Sequence, residues 1–257
     1  MRATILDNRD GTKAAAPVRP YLARGRVRFV GDPVAMIVAD SPEQARDAAE
    51  LIALDYKELP VKIDVGPGGA PLHDEAPDNR AFDWGMGDEQ AVAAAFDSAA
   101  HVVSLEIDDN RVIVNPLEPR GCYAEWQDGR LHVAVNAQGV WVPKNQLVGA
   151  FGLKPEEVRV TNPDTGGGFG MKGMTYNEYY CLAQAARVLD RPVRWMSERT
   201  EAMLSDNAGR DLTSLAEFAF DADHKITAYR VTSQCNLGAY NSQFAQFIQT
   251  QLFSRVL

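Results

Sequence analysis

Cysteine is scarce in this chain: Cys122, Cys181 and Cys235 are the only three among 257 residues, and they stand far apart. An odd, dispersed set gives neither a disulfide framework nor a CxxC metal or redox site. It suits a reducing compartment, with the thiols serving as small core residues. Histidine is equally sparse, at His73, His101, His132 and His224. No pair stands at metal-ligand spacing, and no Ser-His-Asp arrangement can be argued. Positive charge is in deficit: 26 Lys and Arg against 35 Asp and Glu, a net charge of −9. That argues against a general nucleic-acid binder, which would usually show a basic face, and leaves room for a local basic pocket. No apolar run approaches the length of a membrane-spanning helix. Residues 1–4 open on no apolar core of the kind a secretory leader carries. The expected setting is the cytoplasm, or export in company with a partner.

What is present is an ordinary globular composition, 46% hydrophobic and 24% charged, long enough for one large or two medium domains. Residues 1–23 carry little pattern and read as an irregular or truncated edge. Residues 27–30 and 34–39 then read as strands around the turn Gly31-Asp32-Pro33. Ser41-Pro42-Glu43-Gln44 is a helix start with a cap, a proline in the first turn and a capping-box glutamine. Apolar residues at helical spacing carry that helix to Leu54, and a strand follows at 55–59. Residues 66–87, rich in Gly and Pro, read as a linker. A second body begins with a helix at 89–99 and a strand at 101–107. Asp128-Gly129 between two alternating runs marks a hairpin over 122–126 and 131–135. Helices follow at 140–151 and 175–189, strands at 158–160 and 193–196, and a second hairpin at 212–220 and 225–234. The class is α+β. The chain closes on an apolar, glutamine-rich stretch that includes Phe247, Ile248, Leu252, Phe253 and Val256, of the kind that docks against something.

Four motifs carry the candidate chemistry. In Thr165-Gly166-Gly167-Gly168-Phe169-Gly170-Met171-Lys172, three consecutive glycines give up much chain entropy, which is accepted where backbone approaches a ligand closely or takes positive φ. Neither the P-loop nor the GxGxxG spacing fits. A helix starting near Thr175 would aim its free N–H groups at this loop and suit an anion; a flexible turn is the alternative. In Asn115-Pro116-Leu117-Glu118-Pro119-Arg120-Gly121, two prolines stiffen the segment, and an exposed Glu118–Arg120 ion pair is the simple reading. Gln138 can donate and accept through its amide, as a ligand contact or as a satisfied turn residue. Arg199 opens a short helix after a strand and can bind a carboxylate or stand in solvent.

Taken together and in this order, residues 27–65, 115–121, 137–138, 163–172 and 197–210 closely resemble the molybdenum-cofactor subunit of the xanthine dehydrogenase, aldehyde oxidase and aerobic carbon monoxide dehydrogenase family. The resemblance implies an α/β-hammerhead domain over residues 24–65. It further implies a linker over 66–87 and the first part of a molybdopterin-binding domain over 88–257. Its implied cofactor is molybdenum–molybdopterin, with the cytosine dinucleotide as one open form, and with iron–sulfur clusters and FAD on partner subunits or domains. Gln138 matches the glutamine whose amide contacts an oxo ligand of the metal. Gly167, Gly168, Phe169 and Gly170 match the loop against the metal centre, and Arg199 a position that orients substrate in some members. No side chain need ligate the metal. The implied chemistry is hydroxylation of an aldehyde, an N-heterocycle or a similar small molecule, with water as oxygen source.

Three departures stand beside this. Family subunits are much longer, so the catalytic glutamate and the rest of the pocket are expected beyond Leu257, and no residue here is assigned as the base. The hammerhead's first strands are missing before Arg24. Gly173 stands where xanthine-type members hold a substrate-binding glutamate. The expected partners are the iron–sulfur subunit, the flavin subunit and a missing C-terminal half. The alternative is a non-catalytic fragment or scaffold.

Overall fold

The structure, a computed structural model, describes residues 5–252 and 254. The helices are α1 (Pro42–Glu50), α2 (Glu89–Asp97), α3 (Trp141–Phe151), α4 (Asn177–Leu189) and α5 (Arg199–Ser205). The strands are β1 (His101–Asp109), β2 (Gly121–Gln127), β3 (Arg130–Val135), β4 (Val158–Thr161), β5 (Val193–Met196), β6 (Leu212–Phe220) and β7 (Ile226–Cys235). Single 3-10 turns lie at Pro155–Glu157 and Met171–Gly173. The chain divides into two compact units, each built from separated stretches of sequence.

The first unit comprises Val18–Pro60 and Ile113–Ala208. Its sheet runs β4-β3-β2-β5, with β3 and β4 parallel and the other pairs antiparallel. The β2–β3 hairpin turns on Asp128 (φ 50°) and Gly129 (φ 73°), the two left-handed residues that match the twist of paired strands. Leu131, Val133 and Val135 of β3 point inward at period two. On α4, Tyr179, Leu182, Ala183 and Ala186 form the matching buried stripe at helical spacing. Burial of each large aliphatic side chain contributes about 1.5–3 kcal/mol. The Trp126 indole donates to the Ala183 carbonyl at 2.7 Å, tying β2 to α4.

Over residues 24–59 the expected turn and helix form; at the turn Gly31 has φ 106° and Asp32 N–H donates to the Phe29 carbonyl. Ser41 caps α1 by accepting from the Gln44 N–H, with Pro42 in the first turn. The helix ends at Glu50 rather than Leu54, because Leu51 and Ile52 turn back onto the Ala48 and Ala49 carbonyls. The strands expected at 27–30, 34–39 and 55–59 do not form, since no ladder partner lies beside them among the described residues. A strand is stabilised by its neighbour's hydrogen bonds. Apolar pattern alone leaves Val30, Leu54, Tyr56 and Leu59 exposed.

The second unit comprises 5–17, Val61–Val112 and 209–252, with an antiparallel sheet in the order β1-β6-β7. Its first residues are held in place. Leu6 N–H donates to Gln246 Oε1, and the Asn241 and Gln246 amides both donate to the Ala15 carbonyl. Residues 66–87 carry no helix or strand, yet Asn79 gathers them: its side chain donates to the Gly68 and Ala70 carbonyls and accepts from Leu72 N–H. Helix α2 covers one sheet face, with Phe96 under the Arg230 guanidinium at 4.1 Å. Strand register puts Val103, Phe218 and Tyr229 on the opposite face, together with Leu105 and Val231, and these side chains are exposed.

Of the cysteines, Cys122 is buried as expected, while Cys181 and Cys235 are only half-buried. Of the apolar end, Phe253 and Val256 lie outside the described residues; Ala245–Phe247 form a helical turn and Ile248–Leu252 a π-turn. Residues 1–4 also lie outside the described residues. Among the described residues, no helix is long and apolar enough to cross a membrane.

Candidate functional site

Three loops of the first unit converge: 115–121 leading into β2, 136–139 leaving β3, and 162–173 between β4 and α4. Side-chain amides join them. Asn136 accepts from Gly121 N–H and donates to the Pro119 carbonyl, both at 2.7 Å. Asn162 donates to the Ala137 carbonyl at 2.6 Å, and the Thr165 hydroxyl adds a bond to the same oxygen at 2.9 Å. Both residues sit at strand ends, where a short polar side chain can satisfy loop backbone that the ladder no longer serves.

The glycine run lies directly on these partners. A Cβ at Gly166 would stand 2.6 Å from Glu118 Cβ, and one at Gly168 would stand 2.6 Å from three atoms of Gln138. Neither glycine has positive φ, so close approach is what demands glycine there. Gly167 (φ 90°), Phe169 (φ 50°) and Gly170 (φ 87°) are left-handed. Gln138 Oε1 accepts from Gly170 N–H at 2.8 Å, and the Gln138 N–H donates to the Lys172 carbonyl. Gln138 is exposed, and among the described residues its Nε2 donates to none. Phe169 projects outward at 76% exposure.

The expected surface pair between Glu118 and Arg120 does not exist. Adjacent prolines turn the two side chains to different partners. Glu118 Oε2 accepts from Gly166 N–H at 2.6 Å and from the buried Lys172 ammonium at 2.9 Å. Partial burial pushes the Glu118 pKa up, but the Lys172 and Gly166 hydrogen bonds outweigh it and hold the carboxyl below its ordinary range.

Arg120 is wholly buried instead. Its terminal nitrogens fork onto Glu178, its Nε meets Asp206 Oδ1 at 2.5 Å, and its guanidinium lies 3.7 Å over the Tyr176 ring. Burial raises the pKa of both carboxyls, and Arg120 lowers it. For Glu178 the arginine wins and the net shift is downward; for Asp206 burial wins and the net shift is upward.

Arg199 also has protein partners. Its Nη1 donates to Asn115 Oδ1 and to the Pro116 carbonyl, and its Nη2 donates to the Leu117 carbonyl at 2.7 Å. Helix α4 starts at Asn177, not Thr175, and the 3-10 turn Met171–Gly173 separates it from the glycines, so the loop does not open directly into a helix N-terminus. Sequence reasoning missed Asn136, Asn162 and the Glu118–Lys172 pair. The one available signal was their position, single polar residues at the ends of apolar strands or beside the glycines. Among the described residues, no three His, Cys, Asp or Glu gather as a metal would require.

Two family descriptions match this chain, and the loop cluster lies within the span of the second. Residues 3–60 match the a/b hammerhead domain of aldehyde oxidase and xanthine dehydrogenase, and residues 72–257 match the molybdopterin cofactor-binding domain. The nicotine 6-hydroxylase large subunit of Paenarthrobacter nicotinovorans is 35% identical over 88% of this chain and 28% of its own length. The carbon monoxide dehydrogenase large chain of Hydrogenophaga pseudoflava is 33% identical over 89% of this chain and 31% of its own. The crystal structure of quinoline 2-oxidoreductase from Pseudomonas putida 86 superposes with a TM-score of 0.77 at 30% identity, covering 93% of this chain and 31% of that one. The chain thus spans under a third of the length of these relatives. With both family descriptions matched in order over nearly all of its residues, the chain belongs to the xanthine dehydrogenase and aldehyde oxidase family, as a hammerhead domain followed by a molybdopterin cofactor-binding domain.

Proposed function

We propose that this chain forms one wall of the cofactor site in a molybdenum hydroxylase, with Gln138 and residues Gly167, Gly168, Phe169 and Gly170 as the cofactor-contacting surface. The observation that carries this is Gln138. Its carbonyl oxygen is fixed on the glycine loop, and its amide nitrogen is left exposed with hydrogens to donate. That polarity suits an oxygen-rich metal centre, since an anchored amide donates without reorganising. The open space beside Gly170 and Gly173, where a Cβ would meet nothing within 4 Å, leaves room on the outer side of the loop. The residues present therefore fit the cofactor.

When bound, molybdenum–molybdopterin supplies two-electron oxidation with water as the oxygen source. The chain's own contribution is to hold and orient. Gln138 donates one hydrogen bond, and the glycine backbone sets how closely the loop approaches. The substrate class is an aldehyde, an N-heterocycle or a similar small molecule. Iron–sulfur and flavin centres on partner subunits or domains would take up the electrons. The base and the remaining pocket belong to polypeptide outside this span, so the isolated chain does not turn over substrate. The boundary between the two domains is proposed at residues 66–87, while the family matches end at 60 and resume at 72.

The test is composition. The protein is purified with its native partners and assayed for molybdenum by mass spectrometry and for pterin by fluorescence after oxidation. Equal amounts of molybdenum and pterin per chain are expected. A complex with neither overturns the proposal and favours a scaffold, for which the open apolar face of the β1-β6-β7 sheet would be the docking surface.

A further inference from the structure

We infer that Arg199 is a positioning residue, acting on the glycine loop through the turn at 115–118, and not a residue that meets substrate. The inference rests on the reading of residues 167–170 as the cofactor loop. An arginine offers a planar fork, and a substrate carboxylate would need that fork free. Here both terminal nitrogens are engaged by three oxygens of one short segment: the Asn115 side chain and the Pro116 and Leu117 carbonyls. Presenting the fork to a ligand would leave those acceptors unpaired.

The segment needs such a brace. Asn115 is left-handed at φ 50° and Leu117 at its tip is 95% exposed; among residues 115–117 only Pro116 is buried. Two prolines make it stiff enough to transmit a displacement. Its inner face meets the glycines twice. Pro116 Cβ stands 3.3 Å from where a Gly167 Cβ would lie, and Glu118 Oε2 holds Gly166 N–H and the Lys172 ammonium.

The brace itself is well founded. Arg199 is the first residue of α5, whose start is closed by the reciprocal capping of Glu198 and Glu201. Strand β5 ends just before it, and Ser197 N–H donates to the Arg120 carbonyl at 2.8 Å. The far end of the same segment is thereby fixed as well. The chain of contacts runs from α5 through Arg199 and the 115–118 turn to Glu118, and from there to Gly166.

The experiment uses the complete complex and compares Arg199→Met, Glu118→Gln and the double variant. Backbone hydrogen exchange is followed in peptides spanning 163–173, alongside kcat and KM. Loss of one supporting hydrogen bond should accelerate Gly166 exchange roughly tenfold. Arg199→Met and Glu118→Gln should each do so, the double variant should add little, and Arg199→Met should lower kcat while leaving KM nearly unchanged. Unchanged exchange in Arg199→Met, with KM raised, would mean that Arg199 meets substrate and would overturn the inference. If Arg199→Met fails to assemble, Arg199→Lys keeps the charge without the fork. Intermediate acceleration then supports the inference, and wild-type exchange contradicts it. Exchange is read whether or not molybdenum is present, so loss of the cofactor reading and loss of this coupling are told apart.

Discussion

Arg120 and Glu178 meet through two parallel hydrogen bonds, 2.9 and 3.0 Å long, with the arginine side chain entirely withdrawn from solvent. The arginine follows a proline in the 115–121 segment, and the glutamate lies in the first turn of α4. The pair therefore fastens the segment that carries Glu118 to the helix that packs on the sheet. Asp206, just past α5, completes the arrangement from a third element.

Removing the cation leaves two carboxyls buried without their partner. We expect Arg120→Met to destabilise the protein by about 3–5 kcal/mol, the range for breaking a buried ion pair from one side. A urea titration of the variant beside the wild type measures it. A loss under about 1 kcal/mol would mean that Glu178 and Asp206 find other partners.

Gly168 and Gly173, in and beside the glycine run, should respond differently to substitution. Gly168→Ala places a Cβ against the Gln138 side chain and should displace it from Gly170, with molybdenum and pterin content falling severalfold. Gly173→Ala meets nothing within 4 Å and has no positive φ, so full content is expected. Equal loading in the two variants would show that the Gln138 contact does not shape the site.

The Glu118 latch carries a pH signature. Its carboxyl is held below the ordinary range, so its stabilising contribution is complete above the unfolded pKa and is lost as pH falls through the lower folded value. Exchange at Gly166 should stay slow at neutral pH, after correction for intrinsic rates, and accelerate only under acid conditions below the usual glutamate range. Glu118→Gln should abolish that transition. An unaltered acid transition in the variant would assign it to another group.

The Tyr179 hydroxyl is buried without a hydrogen-bond partner among the described residues. Tyr179→Phe removes an unsatisfied polar atom and keeps the ring, so stability should be unchanged or raised by about 1 kcal/mol. Thermal unfolding reads this directly. A clear loss would show that the hydroxyl has a partner, such as an ordered water.

The sequence made local structure visible wherever the determinant was local. Ser41 and Pro42 announced α1, and Asp128-Gly129 announced the β2–β3 hairpin, because capping and left-handed turns depend on a few adjacent residues. The strands expected around Val34 and Tyr56 depended on partners that no local pattern can supply, and they do not form. At the site, Gly168 and Gln138 stood out as residue types. Arg120 and Glu118 were misread because a two-residue spacing suggests a pair, whereas the true partners, Glu178, Asp206 and Lys172, are 50 or more positions away. By resemblance Arg199 falls at a substrate-orienting position, and its acceptors in the structure are the Asn115 side chain and the Pro116 and Leu117 carbonyls, a set that sequence does not reveal.

The central claim is that Gln138 presents its amide to the cofactor. The most direct measurement is the structure of the complex purified with its native partners, read for the distance from Gln138 Nε2 to the nearest atom of the bound group. The account predicts a hydrogen bond of about 3 Å to an oxygen at the metal centre, with Oε1 still on Gly170. A cofactor bound elsewhere, or a Gln138 amide turned away from it, would contradict the account.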